Sequence, residues 1–148
     1  IRGLVGSEMC IRDSLHARVI RGDATRLADS LPANWHGNVA GFVLDPPYGR
    51  NSHGSMAADH LLESCLRSAR EVAHPEGGFV LILPIHPPAE HTTSRLPIDG
   101  EFALLNGKWP EVLTVVERCG WRPQSVHVER VHRSLSRLIL HAKCVPQD

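Results

Sequence analysis

Apolar positions along this chain fall into two kinds of segment, short unbroken runs and longer sets at helical spacing, and the two kinds alternate. His16-Ala17-Arg18-Val19-Ile20 reads as a short strand ended by Gly22-Asp23, and Ala24 to Leu31 as a short helix broken by Pro32. Val39 to Leu44 is a buried-strand run closed by two prolines. A longer helix is expected from about Met56 to Ala73. Its Leu61, Leu62, Cys65, Leu66, Ala69 and Val72 recur at i, i+3, i+4, i+7, with Ser55 as N-cap and Pro75 with Gly77-Gly78 as the stop. Phe79-Val80-Leu81-Ile82-Leu83 is apolar at every position, the mark of a central parallel strand covered on both faces. Pro87 to Lys108 has no period and reads as a lid or substrate loop. Pro110 opens a helix presenting Val112, Val115, Val116 and Cys119, which stops at Gly120. Two closing strands follow, Ser125 to Val131 and Leu138 to Val145. The order predicts an α/β protein with a mostly parallel sheet finished by an antiparallel strand. In such sheets ligands bind outside the carboxyl ends of the strands. Asp23 and Asp45 occupy two of those ends, and Pro84-Ile85 follow a third.

Composition narrows the partners. The 148 residues include sixteen basic and sixteen acidic side chains, so no bulk positive charge advertises nucleic acid and local clusters must carry any such contact. No apolar run approaches the roughly 20 residues of a membrane helix, and no membrane partner is expected. Cys10, Cys65, Cys119 and Cys144 lack paired spacing and read as buried thiols of a reducing, cytoplasmic setting. His86 and His91 flank Pro87-Pro88 without companion ligands, and no metal is expected. Residues 1–14 show neither helical nor strand period and read as a non-native or disordered leader, which leaves 15–148 as the interpretable domain.

The candidate chemistry lies in Asp45-Pro46-Pro47-Tyr48-Gly49, directly after the run Gly41-Phe42-Val43-Leu44. An aspartate accepts a hydrogen bond from an exocyclic amine. Two prolines fix their φ angles and donate no N–H, leaving rigid carbonyl acceptors. Tyr48 offers a face on which a flipped-out base stacks. Asp45, Pro46, Pro47 and Tyr48 are therefore the candidate catalytic residues, for transfer of a group to a nucleobase amine.

With Gly22-Asp23-Ala24 ahead of it, this string resembles the Rossmann-like amino-methyltransferases that use S-adenosylmethionine. The tail from His127 to Ile139 is similar to the closing strands of the THUMP-associated tRNA guanosine-N2 methyltransferases. The resemblance runs from about Arg18 to Cys144. It implies that Asp23, beside Gly22 and Ala24, contacts the cofactor adenine amine, and that Asp45 serves both the cofactor pocket and the target guanine N2. It implies direct methyl displacement without a covalent enzyme intermediate. That family's glycine-rich cofactor loop and ribose-binding acid have no counterpart here. The resemblance therefore implies a partial catalytic domain that begins at the third strand of the family's sheet, lacks its N-terminal strands and is inactive alone. A THUMP-like domain is expected upstream in the full-length protein.

Each feature also has a plainer reading. The prolines and glycine of the string suit an ordinary turn, and Asp23 suits a helix N-cap. Arg130, Arg133 and Arg137 are candidates for phosphate contact, as are Arg50 and Asn51 beside the string, although such charges also form solvated faces. The expected substrate is tRNA. The alternatives are a DNA or ribosomal-RNA amino-methyltransferase and a non-catalytic RNA-binding fragment.

Overall fold

A computed structural model describes residues 18–46, 55–89 and 95–146. Two 3₁₀ turns, Ala24–Arg26 and Ala33–Trp35, flank the one-turn helix α1 (Leu27–Ser30) and lead into β1 (Val39–Leu44). Then come α2 (Ser55–Val72), β2 (Ala73–Ile85), α3 (Trp109–Arg118), β3 (Trp121–His132) and β4 (Leu135–Cys144). The sheet order is β1-β2-β4-β3. β1 and β2 are parallel, and β4 is antiparallel to both β2 and β3. Three strands thus share one direction and the last is reversed, as the sequence pattern predicts.

Chain connectivity explains the order. Parallel strands need a long crossover, and α2 and α3 supply the two that are present. The second crossover sets β3 two strand positions from β2, leaving a one-strand gap. The turn at Arg133-Ser134 then folds β4 back into the gap, so β4 must run antiparallel to both neighbours. No residue of that turn has a positive φ, and a register shift between Arg130 and His132 accompanies it.

The core lies between one face of the sheet and the helices. Leu66, Val72, Leu81, Val116, Trp121, Val126, Leu138 and Leu140 have no exposed surface. Register aligns them in rows: Leu44 with Leu81, Leu81 with Leu140, and Leu140 with Val126. Trp121 anchors the layer. Its indole N–H donates to the Leu66 carbonyl at 3.0 Å, and its ring meets Phe79 and Phe42 at 5.3 and 5.9 Å. Burying each such side chain contributes about 1.5–3 kcal/mol. Cys65, Cys119 and Cys144 are free and buried within this layer, and burial pushes all three thiols upward in pKa.

Four sequence expectations differ from the structure. Residues 18–20 form no strand; Val19 is 83% exposed, and no strand among the described residues supplies hydrogen bonds there. The stop at Pro75 and Gly77-Gly78 falls inside β2, where the register steps from Val39–Ala73 to Gly41–Gly78 and the intervening residues form an excursion. Residues 95–105 of the expected lid are pinned to the sheet by bridges Leu96–Val126 and Ile85–Leu104, and Trp109 donates to the Ile98 carbonyl at 2.7 Å. β2 is covered on one face only among the described residues. Phe79, Leu81 and Leu83 are buried beneath the helices, whereas Val80 and Ile82 are half-buried on the other side and Val43 is 74% exposed. Residues 1–17, and with them the expected leader and Cys10, lie outside the described residues. No described helix is long and apolar enough to cross a membrane.

Candidate active site

β1 ends at Leu44, whose partner in β2 is Leu81; β2 continues past that level to Ile85. Asp45 therefore leaves the sheet edge beside the last residues of β2. Its side chain is 54% exposed, while Pro46 behind it is buried. Burial suits a residue with no N–H to satisfy. Strand alternation sends Leu44 toward the helices and Asp45 to the opposite, open side.

On that side Asp45 meets Arg137. Its Oδ2 lies 3.8 Å from Arg137 Nη2, a loose ion pair between half-exposed groups whose effect on stability is small. Arg137 reaches it from β4, where it is level with Pro84 of β2 and Glu129 of β3. Neighbouring Ser136 points the other way; it is fully buried, and its Oγ has no partner among the described residues. The arginines grouped in the sequence are thereby separated. Arg137 joins Asp45 on the open face, Arg130 is level with buried Ser136 on the opposite face, and Arg133 sits in the exposed turn. Beside that turn, His132 Nδ1 accepts from the Ser134 N–H at 3.3 Å.

Asp23 forms a separate constellation. Its Oδ1 accepts from the Thr25 N–H at 2.9 Å and the Thr25 hydroxyl at 2.7 Å, capping the first 3₁₀ turn. These two bonds hold the carboxyl below its ordinary range, with Arg26 adding a weaker attraction. Oδ2 is left uncommitted by both. Gly22 is packed so tightly that a Cβ there would lie 2.2 Å from Ser30 Oγ. The turn is docked on α2, where Ser68 Oγ accepts from the Leu27 N–H at 2.7 Å. No hydrogen bond or ion pair joins Asp23 to Asp45 among the described residues. Pro47, Tyr48, Arg50 and Asn51 lie outside the described residues.

The sequence pattern missed the Asp45–Arg137 pairing. The basic tail was visible, but its approach to Asp45 past the end of β2 depends on β4 entering the sheet beside β2, and no local signal encodes that.

No family model matches the sequence, and no curated protein matches it. Among solved structures, TrmN from Thermus thermophilus superposes with a TM-score of 0.57 at 17% identity, over 97% of this chain and 33% of that one. TTHA0409 from the same organism, described as a DNA modification methylase, superposes at 0.56 and 16% identity, over 86% of this chain and 52% of its own length. It has also been solved in complex with S-adenosyl-L-methionine. The chain has a methyltransferase-type fold. The [4+2]-cyclase SpnF shares it at a TM-score of 0.57 and 12% identity, over 95% of this chain and 62% of the other. A methyltransferase-type fold therefore does not name a reaction by itself, and activity must be argued from the site. The chain spans about half the length of TTHA0409.

Proposed function

We propose that this chain carries the amine-holding part of an S-adenosylmethionine-dependent nucleobase amino-methyltransferase, with guanine N2 of tRNA as the acceptor. The observation that carries the reading is Asp45: an exposed carboxylate before a buried proline, at the carboxyl end of a parallel strand in a methyltransferase-type fold. Ligands in such sheets occupy that end.

The proposed chemistry is positional. Asp45 accepts a hydrogen bond from the exocyclic amine and the Pro46 carbonyl takes the second N–H, which turns the nitrogen lone pair toward the electrophile. Tyr48 stacks on the base. Holding reactants in line contributes several kcal/mol to barrier lowering without a covalent intermediate. Asp45 need not be a strong base, because the alkylated nitrogen sheds its proton readily. Arg137 lies 3.8 Å from Oδ2 and leaves Oδ1 for the amine. Arg50, Asn51, Arg130 and Arg133 are proposed phosphate contacts. S-adenosylmethionine supplies the methyl group. The donor set fits its adenine end, because Asp23 Oδ2 remains available to an exocyclic amine after both Thr25 bonds converge on Oδ1, with Gly22 and Ala24 beside it. In this reading the rest of the cofactor site and a THUMP-like domain belong to a longer, cytoplasmic polypeptide, and 15–148 is a partial catalytic domain inactive alone.

TTHA0409 supports a second reading, amine methylation of DNA, because its TM-score is almost that of TrmN. Incubating unmodified tRNA with labelled S-adenosylmethionine and the longest polypeptide carrying this sequence, followed by nucleoside mass spectrometry, separates the two. N2-methylguanosine supports the leading reading. Methylated DNA adenine or cytosine, with tRNA untouched, replaces it by the second.

A further inference from the structure

At the end of the sheet opposite Asp45, where β2 begins and β4 ends, lies a cavity of about 440 Å³ walled by Arg67 and Arg70 of α2, Arg118 of α3 and the backbone at Gly120. Glu63 orients two of the guanidiniums. Its Oε1 accepts from Arg67 Nη2 at 2.8 Å and Nε at 3.0 Å, and its Oε2 from Arg118 Nη2 at 2.6 Å. Arg67 is the main reason that the Glu63 carboxyl is held below its ordinary range, against a partial opposing effect of burial. Arg70 is fixed differently: its Nη2 donates to the Val145 carbonyl at 2.8 Å. Its Nε is buried and has no hydrogen-bond partner among the described residues. Gly120, at φ +83°, passes so close that a Cβ there would stand 3.2 Å from that Nε.

Arginines at helix C-termini complement the helix dipole, and that accounts for Arg70 and Arg118 being in the last turns of their helices. It does not account for a buried guanidinium N–H without a partner among the described residues, since such groups normally have one in the protein, in water or in a ligand. Nor does it account for three guanidiniums held at one opening, where the acidic neighbours among the described residues are Glu63 and Glu71. Guanidinium groups that line one cavity suit an oxyanion with several acceptor oxygens. We propose that this cavity is a phosphate-binding site, separate from the amine-holding site, which takes either a free phosphate group or a backbone phosphate of nucleic acid.

The test is an NMR titration of the 148-residue chain with inorganic phosphate at constant ionic strength, following the Arg70 Nε–Hε and Gly120 amide signals. Saturable shifts of both are expected. Arg118→Gln should weaken the affinity about tenfold or more, because it removes a charge-assisted donor. Its side chain is 53% exposed, so the fold should persist, as the unchanged remaining spectrum would verify. A short RNA oligomer that shifts the same signals at lower concentration identifies a backbone phosphate as the ligand; saturation by phosphate with no response to RNA identifies a free group. Shifts that fail to saturate, or that survive Arg118→Gln unchanged, would overturn the site.

Discussion

The two faces of this sheet are made from similar residues and have different fates. On the helix side Phe79, Leu81, Leu83, Leu138 and Leu140 are almost wholly buried; on the other, Val80, Ile82 and Ile139 are half-buried and Val43 stands exposed. The covered face carries the cohesion of the domain. The open face carries the Asp45–Arg137 pair, at the strand ends where a ligand would enter. An apolar run thus records which positions tolerate burial, not which ones the described elements bury.

The sharpest way to break this comparison is truncation on each face. Leu140→Ala, in the covered layer, should destabilise by about 2–5 kcal/mol. Ile139→Ala, one residue away on the open face, should cost about 1 kcal/mol or less, in proportion to its smaller buried area. Paired urea melts measure both, and equal losses would show that the open face is as tightly packed as the other. Trp121→Phe comes next. It removes the indole donor from the buried Leu66 carbonyl and should cost about 1–3 kcal/mol. A neutral result would mean that the Trp121 hydrogen bond contributes nothing.

Much of this division is visible in the sequence, for identifiable reasons. The helical spacing of Leu62, Cys65, Leu66 and Ala69 marks the covered face of α2, and all four are buried. Pro110 and Gly120 bracket α3 as their backbone preferences require. The motif position follows from two prolines ending an apolar run. What local pattern cannot carry is adjacency in space. β4 could in principle lie outside β3, and only its insertion beside β2 brings Arg137 to Asp45. Likewise the expected strand at 16–20 fails at its described residues because periodicity says nothing about whether a neighbouring strand exists. Asp23 was equally compatible with a cap and a ligand contact; its Thr25 bonds now establish the cap and leave one oxygen for the proposed contact.

Smaller effects sharpen the open side. Arg137→Gln should change stability by no more than about 1 kcal/mol, since both partners are half-exposed. In the proposed methyl transfer it should nevertheless lower kcat with little change in KM for S-adenosylmethionine. A fall in cofactor affinity instead would assign Arg137 to the cofactor pocket. The smallest effect concerns Asp23. Its folded pKa is depressed, so its stabilising contribution is present above the unfolded pKa and fades as pH falls through the lower, folded value. Thr25→Val removes the hydroxyl donor and should move the Asp23 titration, followed by carboxyl NMR, upward toward the ordinary aspartate range. An unmoved titration would show that the Thr25 hydroxyl is not the main cause.

The central claim is that Asp45 orients a nucleobase amine. Methyl transfer to tRNA by the longest polypeptide carrying this sequence, compared between wild type and Asp45→Ala with S-adenosylmethionine binding measured in parallel, tests it most directly. N2-methylguanosine formation is expected to fall by about two to four orders of magnitude while cofactor affinity stays nearly constant. Turnover that survives the substitution would contradict it.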